Sequence, residues 1–268
     1  MRNRLYQALT LPLLVLLAGC AVRSDRFPAG PGTPFPDFAN VHLALAQRCA
    51  GVSTLTAELA LSGRVGGDRI RGRVIAGFAT PDAMRLEGVA PFGGPAFIMV
   101  SRGGLSTLLL PRENAAIQGA PPGDVLGTLA GVALSPADLL AVLTGCVVPS
   151  PVAEAGSQYG RDRVRLGLVG GAQLLLRRAG SAWRIVAAAR PGWDLDYSEW
   201  PGTFPGAVRL RSTHAGGTGR AIDLMVRPAQ ISANVALGPE VFSINVPVSA
   251  RLLTLDDLRD AGPLLGPE

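Results

Sequence analysis

Hydrophobic positions along this chain change their period several times, and each change marks a predicted element. Residues 8–18 are almost purely apolar behind Arg2 and Arg4, a run shorter than the roughly 20 residues that a bilayer core requires. Residues 21–36 have no period, and four prolines with two glycines predict an extended tether with a reach of roughly 50 Å. Phe38, Val41, Leu45 and Cys49 then recur at three and four residues, which predicts an amphipathic helix over 37–50 with Asp37 as N-cap and Gly51 as C-cap. After that helix the period becomes two. Leu55, Ala57, Leu59, Leu61 and Val65 alternate with Thr56, Glu58, Ser62 and Arg64, and beyond a turn at 66–68 Ile70, Val74 and Phe78 alternate with Arg69, Arg71 and Arg73. Two antiparallel strands with one buried and one wetted face produce this pattern.

The alternation continues through strands at 84–88, 96–102, 105–111 and 115–118, the first two joined by a loop over 89–95. Helical spacing returns at 124–132 and 135–144, where Ser135, Pro136 and Asp138 form a helix start and Gly145 a stop. Strands resume at 163–169, 173–178, 183–190, 207–213 and 222–227, and 254–260 reads as one short capped helix. About ten antiparallel strands with one apolar face need a cover, and the helices supply it. The fold class is therefore mainly β (α+β): a curved antiparallel half-barrel sheet with helices over its concave apolar face, and an apolar cleft at its mouth.

Composition changes this picture at the N-terminus first. The basic start, the apolar run and the small residues before Cys20 make a three-part signal peptide. Leu17, Ala18, Gly19 and Cys20 match the bacterial lipobox, so Cys20 is the expected acylated first residue of the mature chain; an ordinary secretory signal is the alternative. The organisation expected is a signal peptide at 1–19, a tether at 20–36, the half-barrel at 37–250 and a C-terminal extension at 251–268. Ala21 stands where Asp would retain such a protein in the inner membrane, so the expected location is the periplasmic face of the outer membrane. The formal charge of +5 and a pI near 9.8 do not point to nucleic acid. Arg2 and Arg4 leave with the signal, no Lys is present, and no basic block is interleaved with aromatics. Cys49 and Cys146 remain after Cys20 is used, and in an oxidising compartment they are either one disulfide or two buried thiols.

Several short segments in a fixed order then become recognisable. Ala90-Pro91-Phe92-Gly93 is followed by Leu129-Ala130-Gly131-Val132 and by the run from Leu139 to Gly145; Ala182-Trp183-Arg184-Ile185-Val186 and the run from Phe204 to Leu210 come later. This order resembles that of the LolB-like outer-membrane lipoprotein receptors over roughly residues 52–227. The resemblance implies a half-barrel around an apolar cavity, cargo in the form of an acylated lipoprotein or lipid, a periplasmic lipoprotein carrier as donor, no cofactor, and transfer into the membrane. It also implies an exposed apolar side chain on the loop between the third and fourth strands, where Phe92 stands between Pro91 and Gly93; folding back into the core is the alternative. Leu59, Leu61, Val74, Leu86, Ile98 and Leu166 are the candidate cavity lining, with plain core packing as the other reading. The chain departs from the family in its tether, in extra residues around 149–161 and in a segment from Ile231 onward, where Phe242, Asn245 and Pro247 are similar to the ending of the broader carrier family. The Cys pair is not a general feature of the receptors.

Catalytic chemistry has little support. His42 and His214 are the only histidines and have no Cys, Asp or Glu at ligand spacing, so no metal site is expected. Asp194, Asp196 and Glu199 read as a solvated acidic loop beside Trp193, Tyr197 and Trp200, with a weak cation site as the alternative. Residues 216–219 read as a hairpin turn, and Ser135 and Ser212 lack a nucleophile-elbow context. The expectation is a monomeric, non-enzymatic binding protein; its alternative is an envelope-assembly scaffold that docks through Arg64, Arg69, Arg71 and Arg73.

Overall fold

The structure is a computed structural model that describes residues 27–90, 92–146, 152–212 and 221–260. Two residues of strand, β1 (Thr33–Pro34), precede helix α1 (Phe38–Ala50). Strands β2 (Thr54–Val65), β3 (Asp68–Ala79), β4 (Ala83–Val89), β5 (Phe97–Arg102), β6 (Leu105–Leu110) and β7 (Ala115–Ala120) follow as a meander. Helices α2 (Pro122–Ala130) and α3 (Pro136–Thr144) come next. The chain then forms β8 (Ala153–Tyr159), β9 (Arg163–Leu168), β10 (Gln173–Ala179), β11 (Ala182–Arg190), β12 (Trp193–Ser198), β13 (Ala207–Ser212) and β14 (Ile222–Ala233), and closes with β15 (Arg251–Leu252) and α4 (Leu255–Asp260).

All the strands belong to one unclosed sheet in the order β1-β8-β9-β10-β11-β12-β13-β14-β2-β3-β4-β5-β6-β7-β15. Among the described residues fifteen strands replace the ten or so expected. Four of the additions had weak local signals. Strand β8 lies in the 149–161 insertion and has few apolar residues; pairing with β9, Gln158 opposite Val164, places it. Strand β12 carries Asp194 and Asp196, two of the three acidic residues read as a loop, and that reading is corrected: Leu195 and Tyr197 are buried while Asp194 and Asp196 alternate with them on the outer face. The short β1 and β15 occupy the two edges, so the sheet takes in residues from both the expected tether and the expected extension. Phe27 likewise packs on Leu175, Val186 and Ala187, which covers an apolar patch on the outer face.

Strand β14 returns from the far end of the sequence to pair along β2, and this seam joins the two halves of the sheet. Gly63, opposite Leu224, makes the close approach possible: at φ +148 a Cβ there would lie 2.1 Å from the carbonyl oxygen of Asp223. Only glycine accepts both that backbone conformation and that distance.

The helices lie over one face of the sheet and divide its core in two. Val41 and Leu45 of α1 pack with Val164, Leu166, Leu176, Val208 and Leu224. Val125, Leu126 and Leu129 of α2 and Leu258 of α4 pack with Leu59, Val74, Met99, Leu108 and Ile117. Helix α3 bridges the two, with Val142 in the first cluster and Leu140 and Leu143 in the second. Its ends are fixed locally, as its sequence predicts. The Asp138 amide donates to Ser135 Oγ and the Ser135 amide to the Asp138 carboxylate, a capping box, while Gly145 ends the helix at φ 65. Cys49, at the end of α1, and Cys146, just past α3, are joined as a disulfide with 5.5 Å between Cα atoms. The start of helix α4 is capped in the same manner: the Thr254 amide and Oγ1 both donate to the Asp257 carboxylate, and the Asp257 amide donates to Thr254 Oγ1.

Candidate functional site

Which side chains can line a hollow is decided by strand register. One row crosses six strands on the helix-facing side: Ala57, Ala76, Leu86, Met99, Leu108 and Ile117 stand opposite one another in turn. The neighbouring row, Glu58, Ile75, Glu87, Ile98 and Leu109, faces out. Ile98 is thus corrected from the inner face to the outer one, and Met99 takes the inner place. Leu59, Val74 and Leu86 pack inside one core cluster, Leu166 inside the other, and Leu61 lies half-buried against the first. These residues behave as core, the alternative reading of the same positions.

A hollow among the described residues lies elsewhere, between α1 and α3. It has a volume of about 340 Å³, at the lower end of the range for small-molecule pockets. Its walls come from Ala46 and Ala50 on α1, Ala137, Leu140 and Ala141 on α3, and Val52. Ala46 and Ala50 are four residues apart, as are Ala137 and Ala141, so each pair forms one stripe of its helix. Methyl groups on two facing stripes do not reach far enough to fill the gap between helices. Cys49 and Cys146 border the hollow too, and their bond staples the two walls together. Sequence reasoning missed these alanines; the four-residue spacing within two helices joined by one Cys pair was the available signal.

Polar atoms at the hollow are few. Thr144 Oγ1 donates to the carbonyl of Leu140 at 2.7 Å, so its own helix uses it. His42 also borders the hollow, and its Nε2 is buried with no hydrogen-bond partner among the described residues. An apolar slot with one unpartnered polar atom at its wall can take an alkyl chain and pair with a single carbonyl or carboxyl group.

Phe92 sits on the loop between β4 and β5 and is 87% exposed, so the ring projects rather than folding back. Gly93 beside it adopts φ +79, and Arg112 donates to the Phe92 carbonyl at 2.6 Å, which holds the loop backbone to the β6–β7 turn. Pro91 and Cys20 lie outside the described residues, as do His214 and the glycines at 216–219.

The outer face carries a charge ladder. Arg209 makes two hydrogen bonds to Asp223 at 2.7 and 2.6 Å, Arg211 reaches Asp196 at 2.6 Å, Arg227 reaches Glu199 at 2.5 Å and Arg73 reaches Glu58 at 3.3 Å. The Arg209 bonds hold the Asp223 carboxyl below the ordinary carboxylate range, against a smaller opposing effect of desolvation. Burial pushes the Tyr197 phenol up, out of reach of any physiological titration. Among the described residues no three His, Cys, Asp or Glu side chains converge as a metal site, and no helix is long and apolar enough to cross a membrane.

No family model matches the chain, and no curated protein matches it. Solved structures do. A DUF1329 family protein from Desulfovibrio piger aligns with TM-score 0.49 and 11% identity over 79% of this chain and 98% of its own. An outer membrane lipoprotein-sorting protein domain from Vibrio parahaemolyticus aligns with TM-score 0.43 and 10% identity over 77% and 94%. A LolA superfamily protein from Nitrosomonas europaea aligns with TM-score 0.52 and 11% identity over 77% of this chain and 97% of that one. At such identity the last likeness is one of backbone alone, and it shows that this chain shares the fold of that protein, a large unclosed antiparallel sheet with helices on it.

Proposed function

We propose that this protein is a monomeric, lipid-anchored acyl-chain carrier of the bacterial envelope, acting in the manner of the LolB-like receptors. Acyl groups on Cys20 hold it at the periplasmic face of the outer membrane, where several chains together anchor firmly and one does not. Cargo, an acylated lipoprotein or a lipid received from a periplasmic lipoprotein carrier, places an alkyl chain in the hollow between α1 and α3. Each methylene taken from water there contributes about 0.8 kcal/mol. His42 Nε2 pairs with the carbonyl at the head of the chain. Transfer onward needs no cofactor and no covalent step, because an acyl chain moving between two apolar environments changes little in free energy. Phe92 leads the way into the bilayer, since an exposed ring on a tight loop is costly in water and favoured at a lipid interface.

The observation that carries this reading is the hollow of about 340 Å³ walled by alanines and bordered by the Cys49–Cys146 bond. Uptake of a fluorescent fatty acid by the full chain in a non-ionic detergent tests it. Saturable uptake is expected, and Ala46→Trp and Ala137→Trp, which place an indole in the hollow, are each expected to remove it at unchanged circular dichroism. Absence of uptake by the folded wild type, or equal uptake by both variants, overturns the reading in favour of an envelope-assembly scaffold.

A further inference from the structure

The outer face of the sheet holds a second concavity, larger than the one between the helices. It is a groove of about 1040 Å³ across β13, β14, β2 and β3. Ala60 and Ser62 face outward on β2 and form a low floor; Arg71 and Arg73 stand opposite them on β3, and Met225 and Arg227 on β14. Six arginines line the groove, namely Arg64, Arg69, Arg71, Arg73, Arg209 and Arg227. Glu58, Asp223 and Glu199 match Arg73, Arg209 and Arg227. The other three are exposed and make no hydrogen bond or ion pair among the described residues.

Their placement is unfavourable for the fold alone. Arg64 and Arg69 are cross-strand partners, and like charges directly opposite each other destabilise a sheet. Arg71 lies two residues from Arg69 on the same face, roughly 7 Å along the strand, while adjacent strands are about 4.8 Å apart. Three arginines therefore leave one patch of the outer face, close enough at the backbone for their long side chains to converge on one phosphate group, and each has planar donors suited to phosphate oxygens. The groove also runs to the membrane loop: Val89 and Ala90 form its rim, and Phe92, two residues beyond Ala90, is within about 7.6 Å of it along the chain. An exposed aromatic ring beside unmatched cations fits the boundary of a bilayer, where acyl tails and anionic headgroups meet.

We propose that this groove binds the phosphate headgroup of an anionic phospholipid, with Arg64, Arg69 and Arg71 as its ligands and Phe92 entering the adjoining tails. The site is on the opposite face from the hollow and shares Phe92 and the membrane setting with the carrier reading, but none of the hollow's residues. It gives the anchored half-barrel a fixed orientation, with the Phe92 loop toward the lipid.

The full chain in dodecyl maltoside, titrated by calorimetry with dihexanoyl phosphatidylglycerol, dihexanoyl phosphatidylcholine and inorganic phosphate, tests the proposal. Phosphatidylglycerol is expected to bind more tightly than either of the others. R64S/R69S/R71S is expected to weaken that binding by about 100-fold, at about fivefold for each guanidinium, with phosphatidylcholine binding unchanged. Because the substitution removes a like-charge pair from an exposed face, its thermal melt is expected to stay level or rise. Equal affinity of the wild type for the two lipids, or an anionic preference kept by the triple variant, overturns the proposal. Inorganic phosphate binding as tightly as the lipid overturns the headgroup assignment in favour of free phosphate. Ala46→Trp is expected to keep the preference for phosphatidylglycerol, so failure of the hollow and failure of the groove are separate results.

Discussion

Reducing the Cys49–Cys146 bond is expected to lower stability and empty the hollow together. The bond spans 97 residues of sequence, from the end of α1 to the residue after the α3 cap. Closing a loop of that length removes chain entropy from the unfolded state equivalent to about 4.7 kcal/mol at 25 °C in the chain-entropy model, an upper value since measured effects are commonly smaller. In a domain of this size each kcal/mol moves the melting temperature by about 2–4 °C, so a fall of roughly 10–20 °C is the limit. The site adds a second readout. At the hollow the α1 wall is tied to the α3 wall covalently at Cys49 and otherwise faces it largely across alanines, which offer little apolar surface to hold the pair together. Calorimetric melts of the full chain, oxidised, reduced and as C49S/C146S, check the first effect, and fluorescent fatty acid uptake by the same samples checks the second. Reduced protein and the double variant should agree. A reduced sample that melts within about 2 °C of the oxidised one and takes up ligand normally refutes the reasoning that this bond holds the walls of the hollow together.

Three further outcomes are expected. Phe92→Glu should leave the urea midpoint within the equivalent of about 0.5 kcal/mol, because the ring is exposed, and leave fatty acid uptake intact while abolishing delivery of bound acyl cargo to vesicles; normal delivery removes the role given to Phe92. Gly63→Ala should destabilise by about 1–3 kcal/mol in urea unfolding, since its Cβ would meet the Asp223 carbonyl oxygen at 2.1 Å from a φ of +148; a neutral result means that β14 does not approach β2 so closely. Asp223 has a depressed carboxyl, so its stabilising effect is complete above the ordinary value of 3.8 and is lost as pH falls through that value toward the lower folded one. The pair is half-exposed, which limits the effect to under about 1 kcal/mol. Urea midpoints from pH 7 to pH 3 should therefore show a shallower acid decline in Asp223→Asn than in the wild type, and parallel curves contradict the assignment.

Much of the meander and of the helices was legible in the chain because the signals involved are local. Alternation of Leu55, Ala57, Leu59 and Leu61 with Thr56, Glu58 and Ser62 reports a half-buried strand without reference to its partner, and Ser135, Asp138 and Gly145 bound α3 by bonds within the helix itself. Phe92 was legible as a projecting ring from the glycines and proline around it. Strand β12 was not, because its two outward aspartates obscured an alternation of Trp193, Leu195 and Tyr197, and β8 was not, because it acquires strand character from β9 rather than from its own side chains.

The sequence by itself determined where the period changes and which residues end the helices, and it left Cys49 and Cys146 either paired or free. Only the tertiary structure decided which face each strand turns inward, where the helices fail to fill the space above the sheet, and which arginines gather into one groove. In the run Phe97-Ile98-Met99-Val100 every residue is apolar, so no alternation distinguishes the faces, and the partners Glu87 and Leu109 place Ile98 outside. The hollow and the groove depend in the same way on contacts between segments far apart in sequence, α1 with α3 and β2 with β14. Local periodicity describes each segment alone, whereas register and helix placement are set by what the segments bury against one another.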